Sequence, residues 1–177
     1  MDLTKFSKTM AHALRHAPES YGISLDQDGW ASVGDLLQGI VDNTTLEPTL
    51  EDIKAVLAMP GKRRYEMVDN KIRAYNGHST KQKVQQEEAI PPDTLYHGTV
   101  EDAMDGIKKS GLNPMSRQYV HLSADRETAI SVANRRRSDN IILKVAARMA
   151  HDEGVKFYRG VDGIWMADHV PVKYLYR

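Results

Sequence analysis

The sequence predicts an α+β fold in two lobes, on three observations. Apolar residues recur at three- and four-residue steps through the first part of the chain, which is the helical period. The stretch Ser79 to Ile90 is polar and free of aromatics, and Pro91-Pro92 follows it, so it offers little to pack and stiffens at its exit. Beyond it, short strand-like segments alternate with two short helical ones, the pattern of a compact lobe with a split or sandwiched sheet. The expected division is a helical lobe over 1–80, a linker over 81–92 and a strand-rich lobe over 93–177.

The first lobe opens with a helix whose apolar stripe is Leu3, Phe6, Met10 and Leu14. Pro18 bounds it, because proline pushes the residue before it out of helical geometry, so Arg15 and His16 fall in its last turn. Lys8, His12 and Arg15 share another face at helical spacing. A second helix starts at Ser32, with Asp35 three residues on, and a third at Thr49, with Asp52 in the same relation. Arg64–Val68 and Lys71–Tyr75 then flank Asp69-Asn70, a dipeptide that tolerates the positive φ of a tight turn. With those two residues as the loop, Met67 opposes Ile72, Glu66 opposes Arg73 and Tyr65 opposes Ala74. That register separates an apolar face from a charged one. Three helices followed by a hairpin is the element order of a winged helix.

In the second lobe, Leu95 to Gly98 reads as a strand with Thr99 capping a short helix (Ala103, Met104, Ile107) that Gly111 stops. Tyr119 to Leu122 is a strand, and Ser123 caps a helix containing Ala129 and Val132. Ile141 to Val145 has the continuous apolar run of a buried strand, Val161 to Met166 turns at Asp162-Gly163, and Val170 to Leu175 is the last strand.

Charge narrows the possibilities. Twenty-four basic and 24 acidic residues cancel, so binding to a polyanion by bulk charge is excluded and any such contact needs a local cluster of Arg and Lys. With no cysteine, disulfides and thiolate metal sites are excluded. His12 and His16 are four apart but no nearby carboxylate joins them, so no metal is expected. The sequence has no P-loop and no GxGxxG. It has no run of 18 apolar residues and no apolar leader, so the expectation is a cytoplasmic protein with no membrane association. Nothing in it calls for an obligate assembly, and a monomer is expected.

Several residues stand where they can do chemistry. Arg15 adjoins His16 at a helix end, Arg64 begins a hairpin strand, and Arg117 lies in a loop before a strand. Guanidinium forks hold a phosphate monoester through paired hydrogen bonds while leaving an oxygen to react. The plainer role of each is a solvated surface residue, and a cation at Arg15 also suits a helix C-terminus. Tyr96-His97-Gly98-Thr99 at a strand end offers a histidine to a ligand hydroxyl and a glycine that lets a ligand approach the backbone. His121, alternating with Val120 and Leu122, can share a pocket with His97. Each histidine can equally be an ordinary sheet residue.

Taken in order, these pieces resemble the RNA 2′-phosphotransferase (KptA/Tpt1) family. The matching segments are Ser7-Lys8, Leu14-Arg15-His16-Ala17-Pro18-Glu19, Leu25-Asp26, Gly29-Trp30-Ala31, Arg64-Tyr65, Ile72-Arg73-Ala74, Gly77-His78-Ser79 and Pro91-Pro92. They continue as Leu95-Tyr96-His97-Gly98-Thr99, Gly111-Leu112, Tyr119-Val120-His121-Leu122-Ser123, Gly163-Ile164-Trp165 and Val170-Pro171. The resemblance runs nearly end to end. It implies a winged-helix lobe that binds RNA over 1–80 and a lobe similar to ADP-ribosyltransferases, binding NAD+, over 93–177. The family's catalytic Arg-His-Arg-Arg set falls on Arg15, His16, Arg64 and Arg117. Its NAD+-binding histidines fall on His97 and His121, with Gly98, Thr99 and Ser123 as neighbouring contacts, and Lys8 and Arg73 are taken as RNA or phosphate contacts. Two departures stand out: Asn134 to Asn140 is more basic than the family's arginine-rich turn and lacks its glycine, and Asn76 replaces a more usual glutamine.

The implied partners are an RNA with an internal 2′-phosphate and NAD+ as co-substrate, without a metal. The implied chemistry has two steps. A 2′-phosphate oxygen attacks the ribose carbon bearing nicotinamide. The ADP-ribose 2″-hydroxyl then attacks phosphorus and expels the RNA 2′-oxygen, giving 2′-OH RNA and ADP-ribose 1″,2″-cyclic phosphate. The glutamate with which many ADP-ribosyltransferases hold that hydroxyl corresponds here to Val170. Two alternatives compete: a transferase that stops after the first step, and a binding module without catalysis.

Overall fold

The computed structural model describes residues 1–135 and 139–177. Among them are six α-helices and two sheets in which every strand pair is antiparallel, an α+β fold. The chain divides into two compact units, Met1–Gln85 and Gln86–Arg177.

In the first unit, α1 (Leu3–Arg15), α2 (Val33–Asn43) and α3 (Leu50–Leu57) bring Phe6, Met10, Leu14, Leu36, Ile40 and Ile53 into one core. The caps are those the sequence announces. Ser32 accepts from the Asp35 N–H, and at Thr49 the bond is reciprocal with Asp52, a full capping box. The hairpin β2 (Tyr65–Val68) and β3 (Lys71–Ala74) has the predicted register, and Asp69 takes the positive φ of 52° in its turn. A two-residue strand that the sequence reading omits, β1 (Ala31–Ser32), adds to β3 and gives the order β1-β3-β2. It is too short to show a period of its own.

In the second unit, seven strands run in the order β10-β7-β5-β6-β9-β8-β4. They are β4 (Glu87–Glu88), β5 (Thr94–Val100), β6 (Val120–Ser123), β7 (Asn140–Ala146), β8 (Phe157–Arg159), β9 (Ile164–Ala167) and β10 (Leu175–Tyr176). The core gathers Leu95, Leu122, Leu143, Val145, Phe157 and Trp165 with α4 (Glu101–Ser110) and α6 (Ala147–Asp152). β5 pairs with β7 along all seven of its residues but with β6 only at Tyr96 opposite Ser123. The sheet is therefore split between β5 and β6.

Several expectations change here. The stretch read as a linker divides: Val84 is buried in the first unit, where the Gln85 N–H donates to Gln27, and Glu87–Glu88 pairs with β8. Two residues suffice for that strand, because its hydrogen bonds come from the backbone. Thr99 does not cap α4. It lies inside β5, and the cap position falls to Val100, without a side-chain bond. Likewise Ser123 ends β6, and Asp125 caps α5 (Arg126–Ala133) by accepting from the Thr128 N–H. Val170 to Leu175 is not one strand. Pro171 breaks it into an isolated bridge between Leu112 and Val170, a 3₁₀ turn over Val172–Tyr174, and β10.

Candidate functional site

Two groups of candidate residues can be built up, one in each unit. In the first, α1 ends at Arg15, and His16 is its C-cap. The helix leaves its last carbonyls without internal partners. The segment after β3 supplies one: the Ser79 N–H donates to the Arg15 carbonyl at 2.8 Å, and Ser79 Oγ lies 2.8 Å from His16 Nδ1. Gly77, at φ 86°, passes the Arg15 guanidinium so closely that a Cβ there would sit 3.7 Å from Nη1.

Tyr65 joins Arg15 to the hairpin. The Arg15 guanidinium stands over its ring, 5.9 Å from the centroid, and its hydroxyl donates to the Ser7 carbonyl at 2.5 Å. Burial pushes the Tyr65 phenol up, against the pull of the Arg15 and Arg64 charges, so it stays a donor. Arg64 precedes β2, is exposed, and accepts the Tyr75 N–H at its carbonyl. It lines a groove of about 240 Å³ together with Ser7, Lys62, Arg63 and Tyr75. A larger hollow, about 430 Å³, lies along Ser24–Asp26 and Trp30–Ser32, and none of the candidate residues lines it.

The remaining cations differ. Lys8 is exposed on α1. Arg73 is engaged: its Nη2 is 2.7 Å and its Nε 2.9 Å from Glu66, and it stacks on Trp30 at 4.5 Å. It ties the hairpin to the Trp30 loop. His12, on the same face of α1 as Lys8 and Arg15, lies 2.9 Å by Nδ1 from the Tyr21 hydroxyl.

In the second unit the split sheet holds the histidines. Past the single Tyr96–Ser123 pair, the His97 side chain takes over the role of a ladder bond and Nδ1 donates to the His121 carbonyl at 2.8 Å. His121 Nδ1 donates in turn to the Tyr119 carbonyl at 3.1 Å. A carbonyl only accepts, so Nδ1 carries a proton in both rings, and His121 Nε2 is itself buried. Tyr119 packs edge-on against Tyr158, whose hydroxyl donates to Asp168 at 2.7 Å. Burial, then the Asp168 charge, pushes Tyr119 up to about 12, and burial with the Asp168 bond raises Tyr158 further.

Gly98 also has a packing reason to be glycine. A Cβ there would lie 2.6 Å from Ala133 Cβ, so the space on that side is filled by α5 packing onto β5. Thr99 and Ser123 are strand residues, opposite Ile141 and Tyr96. Arg117 is exposed in the loop before β6, where its N–H donates to Pro114. Val170 is fully buried, so its side chain belongs to the core. Of the basic turn over 134–140, residues 136–138 lie outside the described residues; the Asn140 amide donates to Asn134 Oδ1 at 2.6 Å. The sequence reading missed Tyr65 and Ser79 as neighbours of Arg15 and His16. The adjacency of Tyr65 to Arg64 was visible, but the return of Ser79 to α1 had no local signal.

Among the described residues no helix is long and apolar enough to cross a membrane, and no three acidic or histidine side chains gather as a metal-ion set. Comparison with known proteins adds the rest. A family model described as RNA 2′-phosphotransferase, Tpt1/KptA family, matches residues 2–169. A probable RNA 2′-phosphotransferase of Acetivibrio thermocellus is 44% identical over 176 residues, spanning 99% of this chain and 97% of the relative. Those of Bacillus thuringiensis subsp. konkukian and Burkholderia pseudomallei are 43% and 41% identical, each spanning 97% of this chain and 94% of the relative.

Proposed function

The chain belongs to the RNA 2′-phosphotransferase, Tpt1/KptA family, a family of transferases, and on that premise we propose that it moves an internal RNA 2′-phosphate to NAD+. The products are 2′-OH RNA, nicotinamide and ADP-ribose 1″,2″-cyclic phosphate. The observation that carries the reading is the extent of the match: residues 2–169 take in both units and every candidate from Lys8 to Ser123.

The roles follow from charge. Arg15 and Arg64 grip the phosphate and set it in line for attack on the ribose carbon, which is catalysis by positioning, and Arg117 is the cation of the second unit suited to the same charge. Nicotinamide leaves with the electron pair of the broken C–N bond. When the 2″-hydroxyl then attacks phosphorus, charge builds on the phosphate oxygens where these arginines stabilise it. The hydroxyl gives up its proton, and the departing RNA 2′-oxygen takes one; His16 is the group placed to hold or transfer it. Exposed Lys8 and the groove beside Arg64 favour RNA by local charge, as zero net charge demands. Arg73, read as a further RNA or phosphate contact, is paired with Glu66 and shapes that surface.

In the second unit His97 and His121 are read as the contacts to ribose hydroxyls of NAD+, with Gly98, Thr99 and Ser123 close by in sequence. The first unit is read as a winged helix, the second as an ADP-ribosyltransferase-like lobe, and the protein as a cytoplasmic monomer that needs no metal. A tRNA splice junction is one source of its substrate.

The test is a short RNA bearing one internal 2′-phosphate, incubated with the protein in EDTA with and without NAD+, both products being followed by mass. Loss of phosphate only with NAD+, together with the cyclic ADP-ribose product, is the expected result. RNA that keeps a stable ADP-ribose makes the protein a one-step transferase. Binding without turnover makes it a binding module.

A further inference from the structure

The segment Gly77-His78-Ser79 leaves β3 and returns to the end of α1. His78 anchors it. That ring is only 3% exposed and lies against Gly29 and Val84, and its Nε2 has no hydrogen-bond partner among the described residues. Burial, with the charges of Arg15, His16 and Arg73, holds its pKa down near 4. The anchor is therefore neutral and adds no cation beside Arg15. On one side of it Gly77 passes the Arg15 guanidinium; on the other Ser79 meets both Arg15 and His16.

The two contacts of Ser79 differ in kind. Its N–H satisfies a carbonyl at a helix end, a structural service that any residue but proline provides. Its hydroxyl, 2.8 Å from His16 Nδ1, joins two exposed side chains 63 residues apart. Such a bond contributes little stability, because it fixes two solvated rotors for one bond that water replaces. What it does is orient the ring. A serine hydroxyl both donates and accepts, so it holds Nδ1 whether that nitrogen bears a proton or not. An imidazole that gives up and regains a proton at Nε2 then keeps one orientation throughout.

We propose that Ser79 is a positioning residue that holds His16, and with it the Arg15 end of α1, in the geometry the phosphate chemistry requires. The proposal rests on the reading that Arg15 and His16 act on the RNA 2′-phosphate.

The test compares Ser79→Ala and Ser79→Thr in the full chain. With saturating 2′-phosphorylated RNA and NAD+, Ser79→Ala lowers kcat about tenfold to a hundredfold, the range seen when the partner orienting a working histidine is removed. The KM for RNA stays within about twofold, since ground-state binding is untouched. Ser79→Thr keeps the hydroxyl and restores kcat, and the unfolding midpoint is unchanged in both. A second readout does not depend on activity: in histidine-¹⁵N-labelled protein, the His16 ring signals shift between wild type and Ser79→Ala. An unchanged kcat in an active enzyme overturns the proposal. So does a kcat loss that comes with an equal loss of stability, and so does a His16 ring spectrum indifferent to Ser79. If the wild type itself releases no phosphate, the phosphotransferase reading fails, and the ring spectrum still decides whether Ser79 sets His16.

Discussion

The two units hold their candidate residues by opposite means. In the first, charged groups cluster at a helix end and a hairpin, and they are set by side chains: Arg15 by Tyr65, His16 by Ser79. In the second, imidazoles stand in a split sheet and are set by the backbone, His97 on the His121 carbonyl and His121 on that of Tyr119. The difference teaches what each can hold. A set of guanidiniums suits a doubly charged phosphate, and a pair of imidazoles suits hydroxyl groups. Substitutions of the first unit's arginines should therefore act on phosphate chemistry, and those at the second unit's split sheet on co-substrate binding or on packing.

The largest effect expected from this contrast is at Arg64. It is exposed and stands at the groove, so Arg64→Ala should lower kcat on 2′-phosphorylated RNA by about 10²- to 10³-fold, the scale for losing one charge-stabilising donor. Its unfolding free energy should change by no more than about 0.5 kcal/mol. Steady-state kinetics with urea unfolding checks both. A loss confined to the KM for NAD+ would break the division between the units.

His78 gives the first unit a pH signature. Its pKa is lowered from 6.5 to about 4 in the folded protein, first by burial. Between those values the unfolded chain binds the proton and the folded one does not, so stability rises with pH across that window. The contribution is full above about pH 6.5 and lost as pH falls towards 4, at most about 3 kcal/mol. Urea titrations from pH 4 to 7 should show this slope in wild type and a flatter one in His78→Gln. An equal slope in both would remove His78 as its source.

Gly98 sharpens the other half. Alanine there would bring its Cβ within 2.6 Å of Ala133 Cβ and 3.1 Å of the Ala129 carbonyl. Overpacking of this kind costs about 1–3 kcal/mol, so Gly98→Ala should lower the unfolding midpoint. A variant with normal stability and a raised KM for NAD+ would instead return Gly98 to the role the sequence implied, that of admitting a ligand.

Much of this was legible in the sequence, and the pattern of what was not is physical. The hairpin register from Tyr65 to Ala74 and the caps at Ser32 and Thr49 rest on neighbours within a few residues, where periodicity and turn chemistry act. Thr99 and Ser123 were misread as caps because a threonine or serine before a helix looks like one even when it still belongs to the strand and a later residue, Val100 or Asp125, takes the position. The contact of Ser79 with His16, the packing of Ala133 on Gly98 and the single Tyr96–Ser123 pair that splits the sheet all join distant residues, and nothing local encodes them.

The smallest effect expected is at Arg73, and it tests whether charge alone defines the first unit's site. Arg73 and Arg64 flank the same hairpin, yet Arg73 is paired with Glu66 and stacked on Trp30. Both partners of that ion pair are close to 30% exposed, so solvent screens it. Losing the pair and the stacking together should cost about 1 kcal/mol. Arg73→Ala should thus shift the urea midpoint slightly and leave kcat within about threefold, because no phosphate-stabilising group is removed. Glu66→Gln keeps the side-chain shape and releases the Arg73 charge without deleting it, so it should raise affinity for RNA at low salt and lose that gain as salt rises. If Arg73→Ala instead matched Arg64→Ala in kcat, Glu66 would have to let go of Arg73 when RNA binds, and the first unit's site would extend across the hairpin to Trp30.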